Sequence, residues 1–154
     1  MTSFLLIVHS LAAVALLGAL THQAISVLWP ARARTGSFVS SLRSVPSMTY
    51  TNAIIVLFVL TAILGSIVYP EYRLSIRETL HDYRLFVPEG AFELKEHLIS
   101  IGLGLLPAYW YYWHDAGAKE HAATRATVTA LLAAIVWYGF LTGHVLNNIR
   151  GFGS

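Results

Sequence analysis

The chain has 154 residues, 56% of them hydrophobic and only 12% charged, with a mean hydropathy of +0.60, whereas a soluble domain carries about 25% charged residues. A single core of this size hides only about two thirds of the surface an unfolded chain exposes, so the apolar surplus excludes a soluble globular domain and calls for lipid. Cysteine is absent, which excludes disulfides, thiolate metal sites, iron–sulfur ligation and cysteine nucleophiles. The net charge of +2 is spread over several loops with no basic run to follow a phosphate backbone, so nucleic acid is not an expected partner.

A bilayer's apolar core takes about 20 helical residues, and four stretches reach that length: 4–28, 50–69, 94–113 and 124–146. The expected fold is an all-α integral membrane protein, one domain over 1–154, with four transmembrane helices in an up-and-down bundle. Each span is followed by punctuation: Trp29-Pro30, Tyr69-Pro70, Trp113-His114-Asp115 and Asn147-Asn148. Trp and Tyr at these ends suit the headgroup layer. The first span has no Lys or Arg ahead of its apolar run and is too long for an ordinary signal sequence, so it is read as retained.

Lys and Arg divide evenly between the two sides. The short loops carrying Arg32, Arg34 and Arg43, and Lys119 and Arg125, favour the inner side, which sets both termini outside a membrane of the bacterial inner type. The middle loop, 70–92, is the most charged segment. Its stretch 72–80 has apolar residues at roughly helical spacing, compatible with an interfacial helix capping the outer end. Small residues suited to helix packing occur at Ser10, Ala13 and Gly18 in the first span and at Gly139 and Gly143 in the fourth. Gly102, Gly104 and Pro107 in the third span offer both a bend and clearance for a flat cofactor.

Seven histidines are the most informative feature, because ionisable side chains at membrane depth are costly and mark function. At about 1.5 Å per residue from the middle of each span, His9 and His97 both lie roughly 10 Å toward the outer face, and His144 about 13 Å on the same side. His22 and His114 lie about 9 Å and 16 Å toward the inner face. Two imidazoles at one depth on different helices are what a six-coordinate haem iron requires. On His9 and His97, and secondarily His22 and His114, the chain loosely resembles the four-helix b-type membrane cytochromes in architecture, without a shared sequence motif. That resemblance implies haem b, with His9 and His97 as iron ligands and His144 as substitute, and electron exchange with a quinone or a partner redox protein. Thirteen residues at about 100° each turn His22 roughly 140° away from His9, so one haem is expected rather than two.

Glu93 and His97 are four residues apart and share a helix face, while Lys95 and Glu96 point elsewhere. Glu93 or Glu96 is placed to exchange protons with a quinone, and Arg73, Arg77 and Arg84 to pair these acids or haem propionates. No di-metal spacing, nucleophile elbow or phosphate-cradling loop is present, so hydrolase and nucleotide chemistry find no support and no catalytic residue is assigned. The leading expectation is a haem-binding electron-transfer subunit. The alternative is a cofactor-free accessory or assembly subunit of a larger membrane complex, docking through Tyr69, Glu71, Tyr72, Arg73 and Arg77, since Tyr and Arg are favoured interface anchors.

Overall fold

The computed structural model describes residues 2–28, 46–114 and 120–152. Among them the chain is helical: α1 (Thr2–Leu28), a 3₁₀ turn (Ser47–Tyr50), α2 (Thr51–Glu71), a π turn (Tyr72–Ile76), α3 (Arg77–Asp82), α4 (Phe86–His114) and α5 (Ala122–Phe152). Helices satisfy every backbone group within one segment, which is what an apolar chain in an apolar solvent needs. Three helical stretches are long and apolar enough to cross a membrane: Ser3–Leu28, Ser47–Asp82 and Ala122–Asn148, with mean hydropathies of 2.3, 2.4 and 1.6 over their most apolar windows. Only 17%, 17% and 39% of those windows is buried inside the protein, so most of their apolar surface is turned outward, as for residues facing lipid. By length α4 is comparable, but it carries Glu89, Glu93, Lys95 and Glu96 near its start and the aromatic run Tyr109–Trp113 near its end.

The four long helices pack as sequential neighbours. α1 lies between α2 and α5, and α4 packs broadly on α5 and more narrowly on α2, which leaves α1 and α4 on a diagonal. The main core joins Leu16 and Leu20 of α1, Ile54 and Phe58 of α2, Leu106, Tyr109 and Trp113 of α4, and Leu132 and Val136 of α5. Gly102 is where α4 meets α2 most closely: a Cβ there would stand 2.5 Å from Phe58 Cζ. A smaller core of Tyr72, Leu80, Phe92 and Leu146 closes the end of the molecule where α3 lies. That end is the cap.

The structure departs from the expected boundaries in three places. Tyr69-Pro70 does not end the second helix; Pro70 sits inside α2 and the backbone continues through the π turn into α3. A proline removes one helical hydrogen bond, and a widened turn next to it is a recognised way to re-seat the ladder. The expected separate interfacial helix is therefore a continuation of the second span, held there by the burial of Tyr72 and Leu80.

The long charged loop shrinks to Tyr83, Arg84 and Leu85. Its backbone closes α3 with Leu85 N–H donating to Leu80 O at 2.8 Å and Arg84 N–H to His81 O at 3.0 Å, while Arg84 takes a left-handed φ of 56°. This is a Schellman closure with arginine in the seat glycine usually fills. α4 then starts at Phe86, well before residue 94, because Pro88 falls in its first turn, where the missing N–H costs nothing. α5 likewise runs past Asn147-Asn148, and Asn148 bonds His144 one turn back instead of capping the helix. Trp29-Pro30, Asp115 and the charges used to orient the chain, Arg32, Arg34, Arg43 and Lys119, lie outside the described residues.

Candidate functional site

At the cap, Glu89 is only 7% exposed, and a buried carboxylate needs cations or donors around it. Arg77 Nε donates to Glu89 Oε1 at 2.6 Å, and His81 Nε2 lies 3.3 Å from Oε2. Arg77 also reaches Glu93 with Nη2 at 3.4 Å. One arginine on the extended second helix thus ties down the first turns of α4. Beside this cluster Tyr72 stacks on Phe92 with ring centroids 3.7 Å apart, and Lys95 Nζ lies 3.9 Å from the centroid of the Phe92 ring while pairing with Glu96 at 3.0 Å. The pairing of Arg77 with Glu93 matches the sequence expectation. The sequence does not single out Glu89, because its segment reads as loop; the signal it carries is Pro-Glu ahead of an apolar run. Arg73 is exposed.

The two leading histidines occupy different surroundings. His9 turns toward α2: its Cε1 would lie 3.3 Å from a Cβ on Gly65, and its Nδ1 is buried with no hydrogen-bond partner. The backbone of Thr61 is beside it, and Lys95 and Glu96 are within electrostatic reach. His97 is exposed, with Nδ1 2.8 Å from Glu93 O on its own helix. The rings therefore do not face one another across a gap, and Gly102, expected to leave clearance, is filled by Phe58. At the opposite end His22 meets Tyr50 edge-on at 5.4 Å, whereas His114 stacks on Trp110 at 4.6 Å with Nδ1 2.9 Å from Trp110 O. His144 is exposed and accepts from Asn148 Nδ2 at 3.3 Å.

The outward side of α4 carries a sequence of chemistry unlike the apolar outward sides of α1 and α2. Glu93, His97, Ser100, Gly104, Pro107 and Tyr111 recur every three or four residues and are all exposed, and His114 at the end of the stripe is half-exposed. No atom lies within 4 Å of a Cβ built on Gly104. A carbonyl can only accept, so Nδ1 is the donor in both His97 and His114, and Nε2 is the ring nitrogen not used in that bond.

A second polar cluster pins the opposite end of the bundle. Gln23 of α1 is fully buried; its Nε2 donates to Ser47 O at 3.0 Å and Thr51 Oγ1 at 3.2 Å, and its Oε1 accepts from Tyr109 of α4. Trp113 Nε1 donates to Thr129 Oγ1 at 3.0 Å. A satisfied buried amide of this kind fixes helix register. A glutamine inside an apolar span is the one sequence signal for this cluster, and it is uncharged and so less conspicuous than the histidines.

No protein-family model, curated protein or solved structure matches the chain. Among the described residues no group of three or more His, Asp or Glu could hold a metal ion. What they offer is a hydrogen-bonding, imidazole-bearing helix face on the outside of the fold.

Proposed function

We propose that the chain crosses the membrane four times, with α4 as the third crossing, and works as an accessory subunit of a larger membrane complex in which partner helices cover the outward side of α4. The observation that carries this reading is the exposure of His97, Ser100, Gly104 and Tyr111 along one stripe of that helix. Ionisable and polar side chains at membrane depth turn toward protein, and small residues admit a neighbouring backbone. A photoreactive amino acid placed at Gly104 in native membranes is expected to give a discrete protein adduct. At Leu11, 66% exposed on α1, it is expected to label lipid. Lipid labelling alone at Gly104 would overturn the proposal.

A second reading is supported by the seating of His97 and His114. A histidine that ligates iron usually gives its other ring N–H to a carbonyl or carboxylate, and both do so here, with Nε2 directed away from their own backbone bond. In this reading haem b sits between α4 and a partner helix, and the subunit relays electrons to or from a quinone or a redox protein. When bound, the haem would supply one-electron chemistry; the chain's own part is to orient the imidazoles and exclude water. Reduced-minus-oxidised spectra of membranes from haem-supplied cells test it. A Soret band lost in His97→Ala is expected, and its absence from the parent protein rules out this reading while leaving the accessory role standing.

A further inference from the structure

Where α2 gives way to α3, the surface holds a shallow concavity of about 340 Å³ lined by Arg73, Leu74, Arg77, Glu78 and His81. Arg73, Arg77 and His81 are four residues apart along the chain, as are Leu74 and Glu78, a spacing that sets side chains on one face of a helix. Arg73 and Glu78 both line the concavity. Neither forms an ion pair, with the other or with any neighbour among the described residues, although both are exposed. Arg77 turns Nε and Nη2 inward to Glu89 and Glu93. Leu74, 70% exposed, flanks the two free charges. A helix long and apolar enough to cross a membrane runs Ser47–Asp82, so the concavity lies at its end.

We infer that this concavity binds the headgroup of a zwitterionic phospholipid bearing a primary ammonium, a phosphoethanolamine lipid. Arg73, with the remaining edge of Arg77, takes the phosphate; the Glu78 carboxylate takes the ammonium; Leu74 lies along the first acyl carbons. Guanidinium suits phosphate through paired N–H bonds, and an ammonium with three N–H groups suits a carboxylate as a quaternary choline does not. A purely anionic lipid is the poorer match, because Glu78, Glu89 and Glu93 surround the arginines with negative charge. The inference is independent of the subunit role proposed above.

The test is retention of lipid by the full-length protein, reconstituted in vesicles of equal phosphatidylethanolamine, phosphatidylcholine and phosphatidylglycerol, extracted gently and weighed by native mass spectrometry. The parent protein should retain phosphatidylethanolamine about fivefold over either competitor, the size of effect one exposed charge pair can give. Glu78→Gln should abolish that preference and raise phosphatidylglycerol, whereas Arg73→Ala should lose all three, with unchanged melting temperatures showing that both variants fold. Equal retention of the three lipids, or the same preference in Glu78→Gln, would overturn the inference. So would displacement of the bound lipid by millimolar inorganic phosphate, which would assign the concavity to a free anion.

Discussion

Adding a single methyl group to α4 at either of two glycines should have opposite consequences. In Gly102→Ala the new Cβ would stand 2.5 Å from Phe58 Cζ and 3.3 Å from both Cε atoms, well inside the 3.5–4.0 Å or so at which carbon contacts are favourable. Phe58 is 1% exposed and cannot swing away. Overpacking of this kind costs about 1–3 kcal/mol, partly offset by the up to about 1 kcal/mol that alanine gains over glycine in a helix. A net loss of about 1–2 kcal/mol is expected from these terms. Gly104→Ala meets nothing within 4 Å and should be neutral or stabilising by up to about 1 kcal/mol. Reversible unfolding in mixed micelles, titrated with sodium dodecyl sulfate, measures both. Gly102→Ala combined with Phe58→Leu should be less damaging than the two single changes summed, by at least about 0.5 kcal/mol. Equal stability of the two alanine variants would refute the assignment of an inward and an outward side to α4.

Three other outcomes follow from the same geometry. Tyr109→Phe removes the donor to Gln23 Oε1 in a fully buried setting and should destabilise by about 1–2 kcal/mol, read as a lowered detergent-unfolding midpoint; no change would mean that the amide finds another donor. Arg84→Gly relieves a left-handed residue with φ 56° and should stabilise by about 1 kcal/mol, whereas a loss would show that the arginine side chain matters more than its backbone. Glu89→Gln deprives Arg77 and His81 of their shared carboxylate; limited proteolysis at Tyr83–Leu85 should accelerate, and an unchanged cleavage rate would deny the cluster a role in holding α3 to α4.

Apolar length is legible in a sequence, and α1 begins and ends close to where its unbroken run predicts. Proline and charge are read less well, because their meaning depends on tertiary contacts: Pro70 reads as a stop but is absorbed by the π turn, and the charged 70–92 segment reads as loop until Leu80 and Tyr72 find Phe92 and Leu146 to pack on. Simple rise along a helix gives an expected depth for a residue, but the direction of a side chain around the axis does not follow from depth. Here His9 turns to Gly65 and His97 turns outward. Gly102 and Gly104 read alike as clearance, yet residues two apart lie about 160° from one another around a helix, and the structure uses one for close packing and leaves the other open. The shared face of Glu93 and His97 was legible from spacing alone. Gln23, Tyr109 and Thr51 come together from three segments, which no local pattern reports.

Whether α4 crosses the membrane decides most of this. The chain has no cysteine, so single cysteines can be placed at Val87, 84% exposed near the start of α4, and at Glu120, exposed beyond its end. Labelling with a membrane-impermeant maleimide in sealed vesicles of known sidedness should mark the two positions from opposite sides. Reaction of both from the same side would contradict the crossing by α4 and remove the membrane-embedded face on which the proposed role rests.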